Sequence, residues 1–174
     1  MKNTRSDMRY TVLQYIINGY ELVHEVKQKD PDAEYLLVTD DPALVSTTWK
    51  VIYDKALEGL STFDKCYAIR FNLFKYATTD ICVYLDANIE VLQSLKPLID
   101  IFEAGSYDMV MMPHPHRHNF IEEYQKWIEL RGYSPAIVKK ALAFMSACKY
   151  DFSYKGMFQG NFKIVRNDKQ NTDF

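Results

Sequence analysis

"ICVYLDANIEV", residues 81–91, decides the reading of this chain. Ile81 to Leu85 run without polar alternation, the pattern of a strand covered on both faces. The run stops at Asp86-Ala87-Asn88. An acid and an amide one residue apart can simply form a turn. They can also turn two oxygens towards one hard cation, Mg²⁺ or Mn²⁺, whose remaining ligands would be diphosphate oxygens and water. What the rest of the chain gathers around them decides between the two.

Working outward, "RYTVLQYII" (9–17) reads as a first strand, and Asn18-Gly19 punctuates it before a charged helical segment to about Lys29. "EYLLVTDDP" (34–42) is a buried strand ending in Thr39-Asp40-Asp41, with Pro42 barring its continuation. "WKVIYD" (49–54) is a third strand. "STFDKCYAIRFNLFKYATTD" (61–80) reads as one helix capped by Ser61 or Thr62, with an apolar stripe of Phe63, Tyr67, Phe74 and Ala77 that encloses Arg70. After the strand at 81–85 come a short helix in "SLKPLIDIFEAG" (94–105), a strand stopping at Pro113, helical periodicity over 119–131 and 134–148 broken at Gly132, and a closing strand in "GMFQGNFKIVRND" (156–168). Strands alternating with helices predict an α/β three-layer sandwich with a mostly parallel sheet, in a single domain over 1–174.

Composition fits that expectation. The chain of 174 residues is 48% hydrophobic and 14% aromatic, enough for a real core. A formal net charge of −2 argues against a nucleic-acid partner. Cys66, Cys82 and Cys148 are an odd, widely spaced set without a CxxC pair, which fits neither a disulfide scaffold nor a zinc ribbon. The polar start MKNTRSDMRY and the lack of any apolar run near the ~20 residues of a membrane span lead to the expectation of a cytoplasmic protein without a transmembrane segment.

Ligands of open α/β sheets bind beyond the carboxyl ends of strands, so the polar residues there are the candidates. Asp86 and Asn88 come first, as metal ligands. "HPHRH" supplies His114 and His116 as further metal candidates if the segment is extended, against the plain alternative of a solvated loop. Arg117 beside them offers a bidentate fork for phosphate or carboxylate. Glu123, on the helix that follows, can orient a sugar hydroxyl or accept a proton, or can belong to a solvated face. Arg70, a charge within an apolar stripe, needs either a buried acid or a ligand.

Taken in order, the Thr39-Asp40 strand end, the Trp49-Lys50 strand, the helix with Arg70 and later Lys75, the Asp86-x-Asn88 strand end, His114-x-x-Arg117 with a following Glu pair, and a late strand closing on Arg166-Asn167 resemble a known family. It is the glycosyltransferase-like family of plant mucilage and cell-wall proteins and of bacteria, long described as a domain of unknown function. The resemblance runs from about Tyr10 to Asn167. It implies a GT-A-like transferase that moves a sugar from a nucleotide-diphospho-sugar to a glycan or related acceptor, in polysaccharide biosynthesis, with Mn²⁺ or Mg²⁺. By position it implies Asp86 and Asn88 at the cation and donor, Thr39 and Asp40 near the nucleoside, and Arg70 and Lys75 near the donor phosphates. Arg117 and Glu123 take the family's later Arg and Glu, the expected catalytic pair, and His114 its His.

Two departures accompany the match. The family often shows Pro-His after the helix lysine, where this chain has Tyr76-Ala77-Thr78. Family members also continue past the last strand, which implies an acceptor side that is C-terminally incomplete here. Two other readings stand beside the transferase: a sugar-nucleotide-binding or interaction module without turnover, and a Mg²⁺-dependent phosphotransferase or nucleotidyltransferase.

Overall fold

A computed structural model describes residues 8–167, so the polar start at 1–7 and the end from Asp168 lie outside the described residues. The strands are β1 (Tyr10–Ile16), β2 (Ala33–Thr39), β3 (Lys50–Tyr53), β4 (Ile81–Leu85), β5 (Met109–Pro113) and β6 (Phe158–Arg166). The helices are α1 (Thr62–Arg70), α2 (Lys96–Ala104), α3 (Phe120–Arg131) and α4 (Pro135–Ala147). The strands form one six-stranded sheet in the order β3-β2-β1-β4-β6-β5.

β1 is parallel to β2 and β4, and β2 is parallel to β3, whereas β6 runs antiparallel to β4. The sheet is therefore mixed: three of these four pairings are parallel and one is antiparallel. β1 and β4 are buried along their whole length, as their unbroken apolar runs require. Two core clusters cover the two faces. Val12, Ile16, Leu37, Val83 and Leu85 face α2 residues Ile99 and Phe102, while Leu13, Tyr15, Leu36, Val38, Cys82 and Tyr84 face Ile69 of α1 and Leu73. The strand period of two sorts each side chain to its layer.

The described chain groups into two compact units, one of residues up to Met111 with those from Asn161 onward, the other Met112–Gly160. In the second, Asn119 caps α3 by accepting from the Glu122 amide at 3.0 Å, and Gly132 ends it at φ 62°, a left-handed turn that glycine takes without strain. Ser134 and Pro135 then start α4.

Two helix expectations need correction. Residues 20–32 hold no helix. Glu25 instead accepts from the Thr47 and Thr48 amides, each at 2.9 Å, and the Trp49 indole donates to the His24 carbonyl, so tertiary bonds hold the segment irregular. The helix expected over 61–80 ends at Arg70 and is followed by a 3-10 turn at Leu73–Lys75. Its cap is as read, with Ser61 accepting from the Asp64 amide at 3.2 Å. Its stripe is not: Phe63 and Tyr67 are more than half exposed, and the inward residues are Lys65 and Ile69.

Candidate functional site

The chain runs outward from β1 to β2 and β3 on one side and returns to β4 on the other, so strand order reverses between β1 and β4. Such a switch point leaves a crevice at the carboxyl ends of the two strands. Asn18 follows β1 there, Asp40 follows β2, Asp54 follows β3 and Asp86 follows β4. Asp40 continues the parity of Leu36 and Val38, and Asp86 that of Cys82 and Tyr84, so both carboxylates emerge on the α1 face.

α1 answers them with cations. Lys65, buried, donates from Nζ to Asp40 Oδ2 at 2.5 Å and to Asn18 Oδ1 at 2.7 Å. Asn18 in turn donates from its amide to the Thr62 hydroxyl at 2.8 Å and from its backbone to Asp40 Oδ1 at 2.9 Å. Burial alone would raise the Asp40 carboxyl, but the Lys65 ammonium and the Asn18 amide outweigh it and hold the pKa below the usual carboxylate range.

Arg70 donates from Nη2 to Asp86 Oδ1 at 2.6 Å and from Nε to the Tyr84 hydroxyl at 2.9 Å, and that hydroxyl also donates to Asp86 Oδ1. The guanidinium lies 5.7 Å from the Tyr15 ring centroid and 5.8 Å from that of Tyr84, within cation–π range. Burial opposes its charge, yet Tyr84 and Asp86 outweigh that and raise its pKa. Burial first, and the Asp86 carboxylate next, raise the pKa of the Tyr84 phenol and of the Tyr20 phenol.

Of the two partners open to Arg70, a buried acid or a ligand, the structure gives the acid, Asp86. Asp86 is also a turn former, since its carbonyl accepts from the Ile89 amide at 3.0 Å. Thr39 does not join Asp40. It is fully buried, with the parity of the opposite face, and its hydroxyl accepts from the Asp41 amide at 3.1 Å. Lys75 donates to Asp54 at 2.5 Å, where the Tyr76 hydroxyl joins it at 2.6 Å, so its partner is the acid beyond β3. Asn88 is exposed.

The donor set for a divalent cation is partial. Asp86 Oδ1 is taken by guanidinium and phenol, leaving Oδ2, with the Asn88 amide oxygen two residues on. Among the described residues no group of three or more His, Cys, Asp or Glu is placed to hold a metal ion. These residues fit Mg²⁺ or Mn²⁺ only where phosphate oxygens and water complete the shell. On the opposite face a cavity of about 330 Å³ lies beside the same turn, lined by Leu85, Ile89, Val91, Leu95 and Phe162 among others, with none of Asp40, Asp54 and Asp86 on it.

In the unit Met112–Gly160, the His114 segment is not extended. His114 Nδ1 accepts from the His116 amide at 3.1 Å, which bends the chain, and His116 is exposed. Burial, then the Arg117 charge, lowers the His114 pKa. Arg117 Nη1 donates to Glu123 Oε2, and the Trp127 indole donates to Oε1 at 2.5 Å. Both oxygens of Glu123 are therefore engaged, and the residue is buried. This is an ion pair that ties the start of α3 to the preceding loop.

Sequence reasoning missed Lys65, Asn18 and Lys163. The signal for Lys65 is the i, i+4 row Lys65, Ile69, Leu73, which carries the buried face of this segment. No helix among the described residues is long and apolar enough to cross a membrane. No family model, no curated protein and no solved structure matches the chain.

Proposed function

We propose that the crevice at the carboxyl ends of β1 and β4 binds a nucleotide-diphospho-sugar and that the chain is a glycosyltransferase of GT-A type. The observation that carries this is the switch point itself, flanked by Asn18, Asp40 and Asp86 and faced by a pre-positioned Arg70. Among the described residues only Nε and Nη2 of Arg70 have partners, which leaves Nη1 for a phosphate oxygen, while Asp86 and Tyr84 hold the fork in place. Fixing a cation before the anion arrives removes the entropic cost of ordering it on binding. The Asp40–Lys65–Asn18 group lies one and two strands along and suits the polar nucleoside end. A divalent cation held by Asp86 and Asn88, with the phosphates as its other ligands, would neutralise the departing diphosphate.

A second reading, a sugar-nucleotide-binding module without turnover, is favoured by Glu123. With each carboxylate oxygen held by a donor and the side chain buried, it is poorly placed to act as a base. Thermal shift with a panel of nucleotide sugars, with Mn²⁺ and with chelator, tests binding, because a ligand at a hundred times its Kd stabilises by ~2.7 kcal/mol. Release of free nucleoside diphosphate then marks the transferase, and stabilisation without release marks the module. No shift with any donor would overturn both.

A further inference from the structure

We infer that Lys163 of β6 is a phosphate-binding residue of the same crevice, acting beside Arg70 on the anionic part of the ligand. The inference rests on the reading of that crevice as a diphosphate site. Its first support is register. Lys163 pairs with Tyr84 in the antiparallel β4–β6 ladder, so its side chain stands on the α1 face with Tyr84 and Asp86. Nζ donates to the Arg70 carbonyl at 2.9 Å and lies 5.4 Å from the Tyr84 ring centroid.

The second support is charge balance. Lys65 has Asp40, Lys75 has Asp54 and Arg70 has Asp86, yet Lys163 makes no ion pair among the described residues. A half-buried ammonium without a carboxylate is costly, and an anion supplied by a ligand removes that cost. Burial above all lowers its pKa, in keeping with a charge that is poorly compensated. An ammonium also has three donors, and the Arg70 carbonyl uses one.

The third support is independent of charge. Asn161 lies opposite Asp86, where the Asp86 amide donates to the Asn161 carbonyl at 2.8 Å, so its side chain shares the face of Lys163. Its Oδ1 is sealed from solvent and has no hydrogen-bond partner among the described residues. A buried acceptor left unpaired costs free energy, so the Asn161 side chain gains by turning out to a donor, which a ligand hydroxyl next to the phosphate would supply. β6 thus brings one unmatched cation and one unmatched acceptor to the same edge of the crevice.

The plain alternative is that Lys163 only caps the carboxyl end of α1 through the Arg70 carbonyl. Calorimetric titration with inorganic pyrophosphate in chelator separates the two. Lys163→Gln keeps a donor for the carbonyl but no charge, Lys163→Met keeps neither, and Lys163→Arg keeps the charge. We expect the wild type to bind and both neutral variants to lose about tenfold or more, as loss of a charge-assisted hydrogen bond implies, with Lys163→Arg closer to wild type. Should Lys163→Met fail to fold, Lys163→Gln decides.

Wild-type affinity in Lys163→Gln would make the lysine a cap and overturn the inference while leaving the diphosphate reading intact. Binding by the wild type only with Mn²⁺ would assign the neutralisation to the metal, with the same two consequences. No binding of pyrophosphate with or without Mn²⁺ would overturn the inference and the reading together.

Discussion

Replacing Lys65 by methionine keeps most of the apolar stem and removes the ammonium, with its charge and its hydrogen bonds to Asp40 and Asn18. In the native protein that charge sits against Asp40 at 2.5 Å, with the two side chains 11% and 9% exposed, so solvent screens the pair little. Breaking a buried pair from one side typically costs ~3–5 kcal/mol, because the remaining charge is stranded. Asp40 keeps the Asn18 backbone amide, which favours the lower end, so we expect about 3 kcal/mol by the same measure. For a chain of this length that lowers the melting temperature by roughly 6–12 °C.

The assay is urea unfolding at neutral pH, read as the midpoint at constant slope. Adding Asp40→Leu should recover most of the loss, since removing both charges avoids the stranded acid. The pH dependence fixes the cause. The folded Asp40 pKa is depressed, so its stabilisation is present above the unfolded value of ~3.9 and is lost as pH falls through the folded value. The gap between wild type and Lys65→Met should therefore narrow on acidification. A loss below ~1 kcal/mol, or a gap that widens in acid, would show that the pair does not hold α1 to the sheet.

Arg70→Leu should cost about 1–2 kcal/mol, less than a fully buried pair because its side chain is 35% exposed, and an unchanged urea midpoint would contradict the Asp86 pairing. The Glu25 carboxyl, which burial alone would raise, is brought down to about 2 by hydrogen bonds from Thr48, Thr47 and Ser46. Its contribution is complete above the unfolded value of ~4.3 and is lost as pH falls towards 2, so Glu25→Gln should flatten the acid limb of the stability profile there; identical limbs would refute it. Burial pushes the Cys82 thiol up to about 12, whereas Cys148 is exposed. Titration with a disulfide reagent should modify Cys148 at once and Cys82 only after unfolding, and immediate reaction of all three thiols would refute that placement.

The sheet strands were legible because β1, β2 and β4 carry unbroken apolar runs, and a buried strand leaves no other pattern. The acids at the strand ends were legible for the same reason, as the points where those runs stop. The reversed direction of β6 was not, because strand direction depends on where the chain re-enters the sheet and no residue of β6 records it. Lys65 was missed because an apolar stripe counts hydrophobic positions, and here the inward face of α1 includes an ammonium that Asp40 makes tolerable. The irregular course of residues 20–32 depends on Glu25 meeting residues 46–48, a pairing that local propensity does not see.

The segment from Lys65 to Lys75 supplies one cation to each of three parallel strand ends, Asp40, Asp86 and Asp54. A one-residue rotation of α1 would turn Lys65 by ~100° and break the pairings with Asp40 and Asp86, whereas the exposed Phe63 and Tyr67 would lose little. Helix register is thus specified by charge together with the buried Ile69. Acid should erase that specification before it erases the sheet, whose buried core contains few carboxylates. Under such conditions α1 would still be helical in part and held at Ile69, but its cations would no longer be fixed against the strand ends, so the crevice would lose its geometry while the strands beneath it remained paired.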